Sequence, residues 1–343
     1  MNATRLLSRY RGALMGFAQL WIVVFHCWLL IVPNRPFLGA VENFIKWNGL
    51  IGVDFFFFLS GMGLTYAIRK KTLREFYAGR LRRILVPYWV MLAAHAIHGR
   101  WEYGKILRYA TGVVFVTEDF QALLWFIPAI LVLYALFPAY HALLCRARDK
   151  TAATGCMLIV WLCGALLLRE TMRSDLWTFY NRLPSFLLGV WFGEAGRERD
   201  MKMHPEHWAL CLVGVAAGFL LMRAGTKGLV QAIPQALFAG SAFCAVPLCF
   251  LLAGLFALLE GGAAGRIARP FMGLLRFVGT FTLELYCCHQ WLYIRMYSFL
   301  EGRVSYLAIN VITIPIVILA GWLFHLAHQQ LWICVDRMRQ KRA

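Results

Sequence analysis

Three apolar stretches of this chain each hold ionisable side chains. His26 lies in LWIVVFHCWLL, Asp54 in GVDFFFFLSG, and Glu284 with His289 in LELYCCHQW. A neutral imidazole accepts a proton near pH 7 and so can act as a general base, while a carboxylate can orient an imidazole or hold hydroxyl groups. A charge deep in lipid costs roughly 2.5–3.5 kcal/mol even on lenient insertion scales, which makes such residues candidates for a site. Structural roles stand beside these. Either histidine can bond a neighbouring helix, and Asp54 can cap a helix that begins after Gly49 and Gly52. Glu284 and His289 are five residues apart, so on one helix they point about 140° apart and do not face each other. The run RKKTLREFYAGRLRR, Arg69 to Arg83, either orients helices in a membrane or binds anions.

The elements that must position these residues follow from composition. Hydrophobic residues make up 61% of the 343, charged residues only 15%, and mean hydropathy is +0.62. That excludes an ordinary soluble domain and predicts an all-α, polytopic integral membrane protein. Apolar runs place ten transmembrane helices near 14–33, 49–68, 84–99, 121–143, 152–168, 183–196, 208–223, 232–259, 277–298 and 305–330, the eighth long enough to tilt or break at Pro247. Most of the 35 Lys and Arg fall in segments that are cytoplasmic if both termini are inside, giving an N-in/C-in topology. His26 then lies about twelve residues, or roughly 18 Å, into the first helix, near the midplane. Asp54 lies nearer the outer boundary.

The net charge of +18 is spread through short connections, which argues against nucleic-acid binding. The ten cysteines show no zinc or disulfide spacing, and no metal is expected. The arginines before the first apolar run resemble a signal n-region, but no small-residue cleavage pattern follows, so the first helix is expected to be retained. One membrane domain over 1–343, with no separate soluble domain, is the expected organisation.

Taken together, LMGFAQLWIVVFH, GVDFFFFLSGMGLTYA, FYAGRLRRILVPYW, LWFIPAILVLYALFP and FVGTFTLELYCCHQ resemble the membrane acyltransferase 3 family along nearly the whole chain. The resemblance implies a ten-helix protein of the inner (cytoplasmic) membrane that moves an acyl group, acetyl by default, from cytoplasmic acyl-CoA to a hydroxyl of a surface polysaccharide, glycolipid or related envelope acceptor. It implies His26 as catalytic base and Asp54 as the second-helix aspartate. Arg80 and Arg83, with Arg82 in the same stretch, are implied as the CoA-binding group. Glu284, His289 and Trp125 are implied as substrate or supporting positions. The family commonly has an arginine where this chain has Met15; Arg11, four residues earlier on nearly the same helical face, either substitutes for it in binding the donor or is a snorkelling anchor at the membrane surface.

Acyl-CoA is anionic and cannot cross lipid, so a basic cytoplasmic mouth suits it, and arginine grips phosphate bidentately. His26 as general base and His26 as a covalent acyl carrier both remain open. Asp54 would polarise a histidine or hold acceptor hydroxyls. The segment Arg169 to Arg182 would anchor at the outer interface or bind sugar. The alternative class is a proton-coupled exporter or flippase of an envelope precursor, which would use the same intramembrane residues as a relay; inverted repeats, its expected companion, are not evident.

Overall fold

Helices account for most of the described residues, as the apolar runs require, because lipid leaves no partner for an unpaired backbone amide. The computed structural model describes residues 2–27, 36–118, 124–172, 174–261 and 265–340. Residues 28–33 and 121–123 of two expected spans lie outside these. In chain order the helices are α1 (Ala3–His26), α2 (Pro36–Trp47), α3 (Ile51–Ile68), α4 (Leu73–Gly99), α5 (Tyr103–Ala110), α6 (Val114–Thr117), α7 (Phe126–Arg146) and α8 (Lys150–Leu167). They continue with α9 (Ser174–Tyr180), α10 (Leu183–Glu198), α11 (Pro205–Thr226), α12 (Ala236–Glu260), α13 (Gly265–Val278), α14 (Thr282–Leu300) and α15 (Tyr306–Gln340). Among the described residues there is no strand, only one isolated bridge between Asn2 and Lys202.

Every expected span overlaps a helix, but among the described residues only six helical segments are, by length and composition, long and apolar enough to cross a membrane. One of the six is the continuous stretch Pro36–Ile68. A seventh is added if α13 and α14, bent by 86° at their junction, count as one span. The shortfall has a physical cause: α1 and α4 carry arginines through their first halves, and α10 has only 16 residues. Helix α12 runs through Pro247 without a break, which corrects the expectation of a possible interruption there.

The first helix differs most from expectation. Asn2 caps it, its side chain accepting from the Arg5 amide, so α1 starts at Ala3 and ends at His26. His26 therefore sits at the C-terminal end of α1, not twelve residues into it.

Apart from Asp54 and a few hydroxyl side chains, helix α3 is apolar on every face and sits at the centre, packed against α1, α10 and α12, whereas α8 and α11 leave most of their apolar side chains facing outward. Its approach to α10 depends on glycine: a Cβ at Gly189 would lie 2.1 Å from the Phe58 carbonyl oxygen, and one at Gly61 would lie 2.5 Å from that of Phe186. Close backbone contact of this kind is how helices associate in lipid, where apolar burial gives no driving force. It also fixes the start of α10 beside Asp54.

Candidate active site

One face of α1 carries Ser8, Arg11, Met15, Gln19, Ile22 and His26, at the three- and four-residue steps that align side chains on a helix. All of these except His26 line a cavity of about 330 Å³, within the range of small-molecule sites. The other walls come from α3 (Val53, Phe56, Ser60, Gly63), α4 (Arg80, Arg83), α7 (Phe126, Tyr134) and α14 (Thr282, Tyr286).

Three guanidinium groups gather at one end. Arg80 lies over the rings of Phe76 and Tyr134, at 5.6 and 5.5 Å from their centroids. Arg11 packs against Gly63, where a Cβ would come within 3.2 Å of its Nη2 atom, and its Nε donates to the Leu59 carbonyl at 3.4 Å. Among the described residues no carboxylate pairs with Arg11, Arg80 or Arg83. Arg82 is different: it donates to Asp336 at 2.8 Å and stacks on Trp332 at 4.1 Å, away from the cavity. The expected cluster thus keeps Arg11, Arg80 and Arg83 and loses Arg82, because Arg80 and Arg83 share a helical face that the residue between them does not.

At the opposite end, Ile22 and Tyr286 close the cavity, and the two histidines stand just behind them. His26 Nδ1 lies 2.9 Å from the Ile22 carbonyl oxygen and 3.1 Å from His289 Nε2. His289 Nδ1 lies 2.7 Å from the Tyr286 carbonyl oxygen. Carbonyls only accept, so the tautomers follow. His289 donates from Nδ1 to Tyr286 and presents a lone pair at Nε2. His26 donates from Nδ1 towards Ile22 and that lone pair, which leaves its own Nε2 unprotonated. His26 is half-buried while His289 is 2% exposed. A base supported by a second imidazole is the chemistry this pair offers.

Asp54 belongs to a different cluster. It accepts from Arg182, Ser185 and Ser241, and Arg182 also donates to the Leu50 carbonyl at 3.1 Å. None of these bonds reaches a histidine. Arg182, placed at the outer surface by its neighbours in sequence, is instead buried at 2% exposure, with Phe238 4.8 Å and Trp125 5.9 Å from its guanidinium carbon. Trp125 therefore braces this ion pair, and its neighbour Phe126 faces the cavity.

Glu284 does point away from His289, as its spacing required. It accepts from His325 at 3.1 Å and His328 at 2.8 Å, and His328 in turn accepts from Trp332 at 3.0 Å. These two histidines were not anticipated; their three-residue spacing in FHLAHQQLW was the available signal. One further group, His141, Cys145 and Glu194, has donor atoms within 4.8 Å of one another, as a metal site would. Glu194 there already accepts from His141 at 2.9 Å and Arg69 at 2.6 Å, so the arrangement is complete as an ion-pair network.

A family model described as an acyltransferase domain matches residues 13–326, nearly the whole chain. The chain belongs to the membrane acyltransferase 3 family. It is a multi-pass membrane acyltransferase, and the match takes in His26, His289 and every cavity-lining residue except Ser8 and Arg11, which precede it. No curated protein and no solved structure matches the chain.

Proposed function

We propose that this acyltransferase takes an acyl group, acetyl by default, from cytoplasmic acyl-CoA and delivers it to a hydroxyl of an envelope glycan or lipid-linked acceptor. The observation that carries the reading is the cavity itself, which joins three arginines that pair with no carboxylate among the described residues to the floor beneath His26 and His289. Donor phosphates would sit against Arg11, Arg80 and Arg83, and the slim arm would lie along α1 towards the histidines. His26 Nε2 would take the proton of the acceptor hydroxyl. The oxygen forms a bond to the thioester carbonyl carbon, the carbon–sulfur bond breaks, and the imidazolium returns the proton to the departing thiolate. His289 holds the His26 tautomer that leaves Nε2 free. Asp54 contributes by fixing α3 to α10 through Arg182.

The accompanying topology has ten spans with both termini inside, in an inner membrane. Supporting it, the basic N-terminal halves of α1 and α4 meet at one end of the bundle, where the positive-inside tendency puts the cytoplasm. The test is purified protein in nanodiscs with acetyl-CoA and an envelope glycolipid extract. Release of CoA with appearance of an acetyl ester is expected, and His26→Ala should abolish both. Turnover that survives this substitution would refute the assignment.

A further inference from the structure

Gln19 is 0% exposed, and among the described residues neither its side-chain oxygen nor its nitrogen has a hydrogen-bond partner. An unsatisfied amide in an apolar helix face is costly, and native proteins rarely keep one without a use for it. Gln19 also lines the cavity, in the wall between Met15 and Ile22. It stands eight residues beyond Arg11 and seven before His26, so by helical rise it lies about 12 Å from one and about 10 Å from the other. Its neighbours on the same face, Met15 and Ile22, have no amide to offer it.

We propose that Gln19 binds a secondary amide in the arm of the donor, and so selects thioester carriers built on a pantetheine-type chain. This rests on the function proposed above. An arm stretched from phosphates at Arg11 to a thioester near His26 must pass Gln19. The pantetheine chain carries amides between its phosphate and its sulfur, and each has one N–H and one carbonyl. A primary carboxamide matches both, donating from Nε2 and accepting at Oε1. No charged residue would do this without a penalty in so enclosed a place. Gln19 is a binding residue in this scheme and touches the carrier, not the reacting carbon.

The experiment compares two probes on the full-length protein in nanodiscs: CoA, and adenosine 3′,5′-bisphosphate, which has phosphates but no arm. Gln19→Met, close in length and without polar atoms, is expected to weaken CoA binding about tenfold and to leave the bisphosphate unchanged. Its thermal midpoint should equal or exceed that of the wild type, since a buried unpaired amide has been removed. Gln19→Leu gives the same pattern if the methionine variant expresses poorly. Equal weakening of both probes, no change in CoA binding, or a lowered midpoint would overturn the proposal. Wild-type protein that binds neither probe would overturn the function proposed above as well, whereas intact CoA binding insensitive to Gln19 would overturn this inference alone.

Discussion

Arg182 donates to Asp54 at the point where α10 begins, and the two side chains are 2% and 0% exposed. Neither charge can turn to water if the other is removed. Losing one partner of such a pair typically costs about 3–5 kcal/mol, whereas replacing both with apolar groups of similar size is often neutral.

Asp54→Ala and Arg182→Ala should therefore each lower stability by about 3–5 kcal/mol, seen as reduced monodisperse protein in detergent and a lower thermal midpoint. Asp54→Leu combined with Arg182→Met is expected to recover most of that loss and to retain acetyl transfer. A stable but inactive double variant would instead give Asp54 a direct part in the chemistry.

The His26–His289 contact makes a graded prediction. His26→Ala removes the base and should lower kcat by about 100-fold or more. His289→Gln keeps an acceptor near His26 Nδ1, while His289→Leu does not, so the glutamine variant should turn over faster than the leucine one. The order of these two rates under saturating acetyl-CoA is the measurement.

Among the arginines, orientation matters more than proximity in sequence. Arg80→Ala and Arg83→Ala should each raise KM for acetyl-CoA by roughly tenfold to a hundredfold, the loss of one charge-assisted contact. Arg82→Ala should leave KM near the wild-type value, because its guanidinium is committed to Asp336 and Trp332. An equal effect at all three positions would mean that the basic stretch acts as a diffuse field.

Helix α4 starts with a capping box in which the Thr72 amide and hydroxyl donate to the Glu75 carboxylate at 2.8 and 2.9 Å. These donors hold the Glu75 carboxyl below its ordinary value of 4.5. The folded value lies below the unfolded one, so the contribution to stability is complete above 4.5 and is lost as pH falls through the folded value. The thermal-midpoint gap between wild type and Glu75→Gln should be constant near neutral pH and close on acidification below 4.5.

Much of this arrangement can be read from residue order, and the rest depends on contacts that order does not encode. Each apolar run overlaps a helix, because lipid demands a hydrogen-bonded backbone, but the runs did not show which helices are apolar enough to span. The extent of α1 was missed because Asn2, a single cap, draws the arginine-bearing segment into the helix. Amphipathic α13 was missed for another reason: GRIARPFMGLLRFV has a helical period, but counting long apolar runs passes over it. Arg80 and Arg83 were legible as a same-face pair. Arg182 was not, since its counter-charge lies 128 positions earlier and only the approach of α3 to α10 joins them. Gln19 carries no signal in residue order, and only the cavity beside it singles it out.

Helix α1 carries both Arg11, where a donor would be gripped, and His26, where it would be attacked. The separation between grip and attack is thus a rigid length of about 22 Å, set by helical rise and with no hinge to adjust it. Such a rod works as a caliper that gauges the carrier's handle rather than its cargo. Inserting one residue between Gln19 and His26 would swing the imidazole by about 100° off the measuring edge, while leaving every side chain of the site chemically intact.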